Sequence, residues 1–596
     1  MKFISTKNNL LSNLEGAIFN PIPVKESLWL PKDIEKLPID FFNNIHNMTF
    51  NEICVTVATK LIGDEIPTEN LKNIINECYD FDIPLIKISD NLHILELFHG
   101  PTMTFKDIGA RFMSKIIQYF SNNKKIDIIV STSGDTGSAV ADAFYNIPNI
   151  KVHILYPKNK ISKIQEYQIT NYGNNIIPYE VDGNFDNCQK LIKDTLSDKE
   201  MSNLMELFPA NSINIARLIP QSFYYFWLYA QLKKKDENLN NIVISIPSGN
   251  LGNLTGGIIA KKLGLPINMF IAGTNDNKAF PEYLHNNEIK TNKVFHTISN
   301  AMDIGIPNNL IRLKSFFGNN LNMQKLIDSY SITESDTIHT IEKVYNLYKY
   351  CLDPHTAVGY KSIENFIEKK KIKDFTGIIL STAHPAKFPE VMDNLKVKYD
   401  IPTSIQNLKL NNNKHNLPFD YKIWKSMLIK SNNFKNITFI GMAGTGKSHI
   451  SKLLSIKTKW ELREIDDIIE RSYGEKLNKL ILKYGNDQFI KIEEDMVLRQ
   501  NGNYNIFSPG GSIIYSEKAM EYLRNISLVI YLNTSINTIL NRIGDYKKRG
   551  IVLKKGETIE QLYEDRHLLY SKYKHLEINC NLYNDKEIVN LVNSFI

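Results

Sequence analysis

Residues 241–263, NIVISIPSGNLGNLTGGIIAKKL, decide the fold class, because a short β-branched apolar run leads through a Gly-rich turn into a helical pattern. The same arrangement occurs at residues 125–144 (KIDIIVSTSGDTGSAVADAF), 375–392 (FTGIILSTAHPAKFPEVM) and 436–454 (NITFIGMAGTGKSHISKLL). Such strand–loop–helix units build parallel sheets covered by helices, and ligands bind at the carboxyl ends of the strands. The whole chain is therefore predicted to be α/β.

The composition indicates a globular protein, because 43% of the 596 residues are hydrophobic and 23% are charged. This length implies several folding units. No apolar run reaches the roughly 18 residues of a membrane span, and the first residues show no secretion signal. The five scattered cysteines suit a reducing compartment, so we expect a cytoplasmic protein. The net charge of +7 includes no dense basic block, so neither nucleic acid nor membrane is an expected partner.

Two Gly-rich loops in the first part of the chain have the composition of anion-binding sites. Residues 131–138 (STSGDTGS) and 248–253 (SGNLGN) carry Ser, Thr or Asn at most positions that are not glycine. Glycine lets the backbone approach an anion, and the following helix N-terminus offers unpaired N–H groups. Neither loop fits the Walker pattern, so we expect a phosphorylated cofactor and an anionic substrate. The alternative is that both are plain turns.

The segment 96–107, ELFHGPTMTFKD, resembles the pyridoxal-phosphate (PLP) lysine segment of threonine synthases, which belong to the β-family of PLP enzymes. Further segments follow in the family's order: SGDTGSA (133–139), YPKNKISKIQEYQ (156–168), NSINIARLIPQSFYYF (211–226), PSGNLGNLTGG (247–257), GTNDN (273–277), AMDI (301–304), DPHTAVG (353–359) and STAHPAKFPE (381–390). The resemblance implies a tryptophan-synthase-β-like fold. It also implies conversion of O-phospho-L-homoserine and water to L-threonine and phosphate.

The resemblance also implies roles for individual residues around the cofactor. Lys106 would bind PLP covalently, because only a primary amine forms the Schiff base, and would serve as proton shuttle. Thr382 would hydrogen-bond the pyridine nitrogen. The cofactor phosphate would be held by backbone N–H groups of Gly249, Asn250, Leu251, Gly252 and Asn253.

For the substrate, the resemblance implies contacts from two loops and leaves several charged residues open. The loop residues are Ser133, Gly134, Asp135 and Thr136, together with Asn275, Asp276 and Asn277. The candidates for the substrate phosphate are Arg217, Lys158 and Lys160, and the histidines whose roles stay open are His99, His355 and His384. One departure is residues 17–31, AIFNPIPVKESLWLP, where the family usually has a Gly-rich stretch. We expect a changed surface loop there.

Residues 441–448, GMAGTGKS, fit the P-loop pattern G-x-x-x-x-G-K-[ST] between a predicted strand and a predicted helix. ATP would be bound by Gly441, Gly444, Gly446, Lys447 and Ser448, and Ser448 would also ligate Mg²⁺. No NKxD motif follows, and the block is short, so we expect a small-molecule kinase with an NMP-kinase-like α/β fold.

Further segments of this block resemble shikimate kinases: EIDDIIE (464–470), SPGGS (508–512), the lid-like stretch 545–555 and RHLLY (566–570). The resemblance implies substrate or lid roles for Asp466, Gly510, Gly511, Arg549 and Arg566. However, Ile490 stands where the family usually has an Arg that binds the shikimate carboxylate, and Lys491 offers only a point charge. We therefore expect ATP binding but poor use of shikimate.

Together these patterns predict a bifunctional enzyme that acts on small molecules, and they leave its oligomeric state open. We expect residues 1–90 to form an N-terminal segment, 91–403 the PLP-dependent region, 404–430 an Asn-rich linker and 431–596 the P-loop domain. The alternative for the first half is another PLP-dependent lyase, either a phospho-amino-acid lyase or a dehydratase. The alternative for the second half is an ATP-binding regulatory module without catalysis.

Overall fold

The computed structural model of the chain describes residues 3–122, 124–235, 239–289, 294–395, 397–408, 413–543, 552 and 557–596. The chain divides into two compact units. The first unit comprises Met1–Ile192 and Glu206–Phe419, and the second comprises Lys193–Met205 and Asp420–Ile596. Both contain parallel sheets with helices between the strands, so the predicted α/β class is confirmed.

The larger sheet of the first unit has six strands in the order Ile327–Ser331, Met269–Thr274, Ile242–Pro247, Thr376–Ser381, Leu92–Glu96 and Leu85–Lys87. All neighbours are parallel except the last pair. The two central strands are buried along their whole length. Their near-continuous apolar sequences are typical of parallel strands that are covered on both faces.

A second sheet of the first unit has five parallel strands in the order His415–Pro418, Ile176–Asp182, Ile150–Pro157, Ile126–Ser131 and Leu207–Pro209. A small antiparallel sheet joins Leu11–Ser12, Phe3–Ser5 and Trp29–Pro31. The strand His415–Pro418 lies inside the stretch 404–430 that the sequence suggested as a linker. Only Leu417 of this strand is buried, so its pairing with Tyr179–Asp182 leaves little apolar signal in the sequence.

The helices of the first unit cover these sheets and supply the residues at the loop ends. Helix Phe185–Ser197 crosses the division between the two units. The others are Leu14–Phe19, Ile39–Asn44, Phe50–Ile62, Thr68–Cys78, Lys106–Phe120, Asp135–Phe144, Lys163–Thr170, Ile215–Leu218, Phe223–Lys234, Gly252–Lys262, Ala279–Asn286, Leu310–Phe317, Asn320–Gln324, Glu334–Tyr348, Pro354–Lys370, Pro389–Met392 and Thr403–Gln406.

The second unit has one five-stranded parallel sheet in the order Glu461–Glu464, Asn505–Ser508, Asn436–Ile440, Leu528–Asn533 and Leu576–Asn579. Its helices are Lys199–Leu204, Tyr421–Ser431, Lys447–Thr458, Ile465–Tyr473, Leu477–Tyr484, Asn486–Leu498, Glu517–Ile526, Ile536–Ile543, Ile559–Tyr573 and Asp585–Asn593. The central strand Asn436–Ile440 is fully buried and leads directly into the P-loop. This placement matches the strand–loop–helix order expected from the sequence.

The segment Lys193–Met205 is distant in sequence from the rest of the second unit but packs within it. Trp424 is completely buried, and its Nε1 donates to Thr195 Oγ1 at 2.8 Å. Lys425 Nζ lies 2.8 Å from Asp198 Oδ2 and 2.6 Å from Glu200 Oε2. The unit is therefore assembled from two separate stretches of chain. Among the described residues, no helix has both the length and the apolar character that a membrane span requires.

Candidate active sites

A cleft of about 840 Å³, counted with its open mouth, lies in the first unit at the carboxyl ends of strands from both sheets. Ser131 and Pro247 end two of these strands, and Thr382 directly follows a third. Ligands of parallel sheets bind at such ends. The predicted site residues that line the cleft are Lys106, Ser133, Asp135, Thr136, Arg217, Gly249, Asn250, Leu251, Gly252, Asn253 and Thr382.

Lys106 begins helix Lys106–Phe120, and its side chain is only 14% exposed. Its Nζ atom lies 3.8 Å from Oδ2 of Asp135, the first residue of helix Asp135–Phe144. Burial lowers the pKa of Lys106 to about 8, and the nearby cations of Lys387 and Arg217 act in the same direction, while Asp135 opposes them. A lysine with a lowered pKa is more often neutral, so this amine can act as a nucleophile near neutral pH.

The segment Gly249–Asn253 turns at Leu251, whose φ is +58°, and its last two residues begin helix Gly252–Lys262. Within the described residues, the N–H groups of this loop donate to no backbone carbonyl. A Cβ atom on Gly249 would come within 2.9 Å of the Cα atom of Met302, so no side chain fits there. The loop therefore offers a backbone cradle with unpaired donors, and the donor set fits the phosphate group of a cofactor.

Two side-chain atoms beside this loop are buried and lack hydrogen-bond partners among the described residues: Asn253 Nδ2 and Gln221 Oε1. Asn253 is held in place because its Oδ1 accepts from the hydroxyls of Tyr224 and Tyr225, at 2.8 and 2.6 Å. Both Asn253 and Gln221 line the cleft. Buried polar atoms without partners are rare in proteins, so these atoms indicate that a polar ligand completes the site.

Several predicted residues do not line the cleft: Gly134, Asn275, Asp276, Asn277, Lys158 and Lys160. Asn275 instead has a structural position, since its Nδ2 donates to Thr297 Oγ1 and Asp303 Oδ1 at 2.9 Å each. These bonds fix the loop that carries the cleft residues Ala301 and Met302. The two lysines are exposed. Arg217 is therefore the one candidate for the substrate phosphate that the structure brings into the cleft.

The three histidines whose roles the sequence did not decide have different positions relative to the cleft. His355 lines the cleft and is 2% exposed, and its Nδ1 lies 3.2 Å from Asp353 Oδ2. His99 Nε2 lies 2.7 Å from Glu96 Oε2, and His384 Nδ1 accepts from the backbone N–H of Ala386. Neither of these two lines the cleft. Among the three, His355 is therefore the one placed to meet a ligand.

Sequence reasoning missed Lys387, which is completely buried beside the cleft. Its Nζ lies 3.0 Å from Asp135 Oδ1 and donates to the carbonyl of Thr102 at 2.7 Å. Gln165 Nε2 donates to the same Asp135 oxygen at 3.0 Å. The signal was present, because Lys387 is part of the segment STAHPAKFPE, but its sequence neighbours do not show that it reaches Asp135.

In the second unit, Gly441, Gly444 and Gly446 have φ values of +152°, +84° and +99°, which glycine adopts without strain. Lys447 folds back over this loop, and its Nζ donates to the carbonyls of Gly441 at 2.8 Å and Met442 at 3.1 Å. Burial lowers the pKa of Lys447 to about 8, although Asp466 opposes this shift. Lys447 begins the helix that follows the loop, and the adjacent Ser448 is exposed. This is the geometry of a nucleotide-phosphate cradle.

A second group of polar side chains lies at the glycine pair Gly510–Gly511. A Cβ atom on Gly510 would lie 2.8 Å from Asp466 Oδ1 and would clash with Glu493 Oε1, while one on Gly511 would lie 2.9 Å from an Arg566 nitrogen. Burial raises the pKa of Asp466 to about 6 and that of Glu493 to about 8. Glycine therefore opens space in front of two acids and one guanidinium group.

Arg566 is 2% exposed and donates to the carbonyl of Val552 at 3.0 Å. Ile490, which stands where an Arg was expected, packs against the apolar core of the unit. The neighbouring Lys491 is exposed. Arg549 lies outside the described residues. Within the described ranges, no three His, Cys, Asp or Glu side chains are grouped so that they could hold a metal ion.

Comparison with protein families also divides the chain into two parts, except that the segment Lys193–Met205 of the second unit lies within the match of the first part. Residues 84–381 match the family model "Pyridoxal-phosphate dependent enzyme". Residues 2–79 match "Threonine synthase N terminus", and residues 356–417 match "Threonine synthase, C-terminal". Residues 443–596 match "Shikimate kinase". The second threonine synthase match ends at residue 417, within the strand His415–Pro418, which agrees with the place of this strand in the first unit.

Individual relatives agree with these matches. Threonine synthase of Buchnera aphidicola is 39% identical over 411 residues, which are 68% of this chain and 94% of that protein. Threonine synthase of Escherichia coli is 37% identical over 72% of this chain and 99% of that protein. The crystal structure of the Escherichia coli enzyme superimposes with a TM-score of 0.68 at 36% sequence identity, over 72% of this chain and all of that one.

The threonine synthase resemblance found in the sequence is thereby confirmed over nearly the full length of the relatives, and the shikimate kinase resemblance is confirmed by the family model. Identity well above 30% and a shared fold extend over the part of the chain that contains Lys106 and its cleft. The remaining part contains the P-loop and the Gly510–Gly511 pair. The chain belongs to the threonine synthase family of PLP-dependent enzymes and carries a C-terminal domain that matches the shikimate kinase family.

Proposed function

We propose that the first unit converts O-phospho-L-homoserine and water to L-threonine and phosphate with PLP as cofactor. The observation that carries this proposal is the position of Lys106, whose amine faces Asp135 in a cleft that also contains the backbone cradle Gly249–Asn253. Family membership supports the same reaction. PLP supplies an electron sink for the carbanions that proton removal from the substrate creates.

The residues of the chain take complementary roles in this proposal. Lys106 would hold the cofactor covalently, and its amine would move protons at the substrate carbons. The cradle Gly249–Asn253 binds the cofactor phosphate, and Thr382 hydrogen-bonds the ring nitrogen. Ser133 and Thr136 lie beside the start of helix Asp135–Phe144, where unpaired N–H groups favour the substrate carboxylate.

Arg217 is the cation we propose for the phosphate of the substrate. It is 2% exposed, and its Nε lacks a hydrogen-bond partner among the described residues, although a terminal nitrogen donates to the carbonyl of Ala210 at 2.7 Å. A departing phosphate develops negative charge, so a guanidinium group that is already fixed in place would stabilise its release. The bond to Ala210 holds the side chain before substrate arrives.

A product assay with the full chain tests the reaction. Incubation with phosphohomoserine should release phosphate and threonine in equal amounts. Release of phosphate with 2-oxobutyrate and without threonine would instead identify a different PLP-dependent lyase. The cofactor lysine is tested separately by borohydride trapping: Lys106→Ala should abolish the adduct. Lys115→Ala, which removes a partly exposed ion-pair lysine from the same helix, should retain it.

For the second unit we propose ATP- and Mg²⁺-dependent phosphorylation of a small molecule. The supporting observation is that the cradle around Lys447 lies in the same unit as the open space at Gly510–Gly511, which is lined by Asp466 and Arg566. In this proposal Lys447 binds the ATP phosphates and Ser448 ligates Mg²⁺. The competing function is ATP binding for regulation, without phosphoryl transfer.

Phosphoryl transfer from ATP to a panel of small alcohols, measured with the full chain, separates these two functions. Catalysis predicts transfer to at least one alcohol that Lys447→Met abolishes while threonine formation stays unchanged. A regulatory module predicts ATP binding without transfer and a change in threonine formation when ATP is added. Two expectations stay predictions from the sequence. The protein binds small molecules and neither nucleic acid nor membrane, and it is located in the cytoplasm.

A further inference from the structure

The carboxylate of Asp135 lies between two lysine side chains. Its Oδ2 is 3.8 Å from Lys106 Nζ, and its Oδ1 is 3.0 Å from Lys387 Nζ. Asp135 is 2% exposed and Lys387 is completely buried, so little water screens these charges. The three groups form a continuous chain from a fully enclosed cation to the amine in the cleft.

The two carboxylate oxygens of Asp135 contact different groups. Oδ1 accepts from Gln165 Nε2 at 3.0 Å and faces Lys387. Lys387 is itself fixed, since it ends the short 3₁₀ helix Pro385–Lys387 and donates to the carbonyl of Thr102 at 2.7 Å. Oδ2 is left to face Lys106. The arrangement therefore fixes the orientation of the carboxylate and directs one oxygen toward the reactive amine.

Burying a lysine is costly, and its ion pair with Asp135 offsets that cost only in part. An apolar side chain at the position of Lys387 would avoid the cost, but it would leave Asp135 paired with Lys106 alone. A strong ion pair with Asp135 would keep Lys106 protonated, and an ammonium group is not a nucleophile. Lys387 removes this problem because it neutralises Asp135 from the other side.

We infer that Lys387 is a positioning residue for the reaction of the first unit, acting through Asp135 to keep the amine of Lys106 available. This inference rests on the proposed threonine synthase function, in which Lys106 is the cofactor lysine. Lys387 does not line the cleft, so it acts on Lys106 and not on the substrate. Asp135 transmits its effect.

The other charges around this chain are consistent with the inference. Burial lowers the pKa of Lys106 to about 8, and the positive charges of Lys387 and Arg217 lower it further against the pull of Asp135. Burial alone would raise the pKa of Asp135, but Lys387, Lys106 and His355 hold it well below its usual range. Loss of Lys387 removes a repelling cation from Lys106 and strengthens its pairing with Asp135. Both changes raise the pKa of Lys106.

The pKa of Lys106 can be measured without the reaction, by competitive acetylation of the cofactor-free full chain and peptide mass spectrometry across a pH series. We expect Lys387→Met to raise the pKa of Lys106 by about one unit, which reduces labelling at pH 8 roughly fivefold. Lys387→Arg retains the charge and should shift the pKa much less. Lys115→Met, which removes a partly exposed lysine from the helix of Lys106, should leave the pKa of Lys106 unchanged.

An unchanged pKa of Lys106 in folded Lys387→Met, or an equal shift in Lys387→Arg, would overturn the inference. If Lys387→Met does not fold, Asp135→Asn decides, because removal of the carboxylate should lower the pKa of Lys106, and an unchanged or higher value contradicts the proposed chain. The product assay with phosphohomoserine is independent of these measurements. Failure to form threonine would therefore reject the proposed function. The effect of Lys387 on the pKa of Lys106 would still be tested by the acetylation measurement.

Discussion

Asp353 and His355 form a buried pair at the start of helix Pro354–Lys370, with Asp353 Oδ2 lying 3.2 Å from His355 Nδ1. The same carboxylate caps the helix by accepting the backbone N–H of His355 at 2.8 Å. These contacts fix the imidazole ring. Its Nε2 is buried and has no hydrogen-bond partner among the described residues. Because His355 lines the cleft, this nitrogen is placed to accept or donate a proton.

We therefore predict that His355→Gln lowers kcat for threonine formation by about 100-fold, which is the lower range for loss of a general acid or base. KM should change much less, because glutamine retains a polar group of similar size. The control is His285→Gln, since His285 also pairs with an aspartate, Asp328 at 3.0 Å, but is exposed and does not line the cleft. An unaltered kcat in a cofactor-loaded His355→Gln protein would contradict the catalytic role.

The cradle glycine Gly249 gives a prediction about cofactor affinity. In Gly249→Ala the new Cβ would lie 2.9 Å from Met302 Cα and 3.2 Å from the carbonyl of Ala301, and both are backbone atoms that cannot rotate away. The loop must shift, so PLP should bind at least about tenfold more weakly, or ~1.4 kcal/mol.

Titration of the cofactor-free protein with PLP measures this loss. In the control Gly305→Ala, the new Cβ meets only one side-chain atom, Val294 Cγ2 at 3.1 Å, and no backbone atom, so affinity should stay near that of the unmodified protein. Equal affinity for PLP in the two variants would show that the close packing of the cradle does not matter for binding.

Much of the fold and of both sites could be predicted because the signals are local. A β-branched run followed by a Gly-rich loop predicts a strand end wherever it occurs, and the loops at Ser131, Pro247 and Gly441 do follow buried parallel strands. Lys106 and Lys447 were predicted from short motifs for the same reason, since the residues that flank each lysine in sequence identify it, although the rest of each site comes from distant segments.

What could not be predicted depends on contacts between residues far apart in sequence. The buried position of Lys387 results from its approach to Thr102 and Asp135, more than 250 residues away. The strand His415–Pro418 is defined by its partner strand and not by its own composition. The hydrogen bonds of Asn275 to Thr297 and Asp303 likewise join residues more than 20 positions apart, and the motif around Asn275 does not indicate them.

The second unit is built from two stretches of chain, and the contact between them predicts which substitution lowers its stability most. Trp424 is completely buried, and its Nε1 donates to Thr195 Oγ1 in the segment Lys193–Met205. Trp424→Ala should destabilise this unit by about 3–5 kcal/mol, because it removes a large buried side chain. Lys425→Met should cost less, about 1 kcal/mol, because the ion pairs of Lys425 with Asp198 and Glu200 are only partly buried.

Hydrogen exchange of strand Leu528–Asn533 in the full chain reports the stability of the second unit. Protection should fall strongly in Trp424→Ala and slightly in Lys425→Met, with the strands of the first unit unchanged in both. A fragment that begins at Asp420 lacks Thr195 and should resemble Trp424→Ala. Full protection of such a fragment would show that the segment Lys193–Met205 is dispensable.

The acid Glu493 predicts how the stability of the second unit depends on pH. Burial raises the pKa of Glu493 from 4.5 to about 8, and Ser512 Oγ donates to its carboxyl group. Between about pH 4.5 and 8, Glu493 is therefore protonated in the folded state but ionised in the unfolded state. The free energy of unfolding falls as pH rises through this window, because the unfolded state binds fewer protons. From pH 6 to pH 8 the loss should be about 2 kcal/mol.

Glu493→Gln should remove most of this dependence, because glutamine stays neutral at every pH. The comparison is the difference in protection of strand Leu528–Asn533 between pH 6 and pH 8, corrected for intrinsic exchange. Burial raises the pKa of Asp466 only to about 6, so Asp466→Asn should leave most of the dependence in this window in place. A steep loss of stability that persists in Glu493→Gln would assign it to another group.

Ile490 and Glu493 lie one turn apart on helix Asn486–Leu498, and Ile490 packs against the apolar core of the second unit. Shikimate kinases usually have an Arg at the position of Ile490, and the neighbouring Lys491 is exposed. Loss of a bidentate guanidinium–carboxylate contact costs roughly 2–5 kcal/mol, or about 30-fold to several thousand-fold in affinity. Shikimate should therefore be a poor substrate of this chain.

Kinetics of the full chain with ATP and shikimate test this prediction. Ile490→Arg should raise kcat/KM for shikimate at least about 30-fold, because the new guanidinium group lies beside Glu493 and can meet a carboxylate. Ile490→Met keeps the volume without the charge and should give no improvement, and Lys447→Met in the Ile490→Arg background should abolish transfer. A micromolar KM for shikimate in the unmodified chain would show that binding does not require an Arg at position 490. Of the cations described at the Gly510–Gly511 pair, Arg566 would then be the group that holds the shikimate carboxylate.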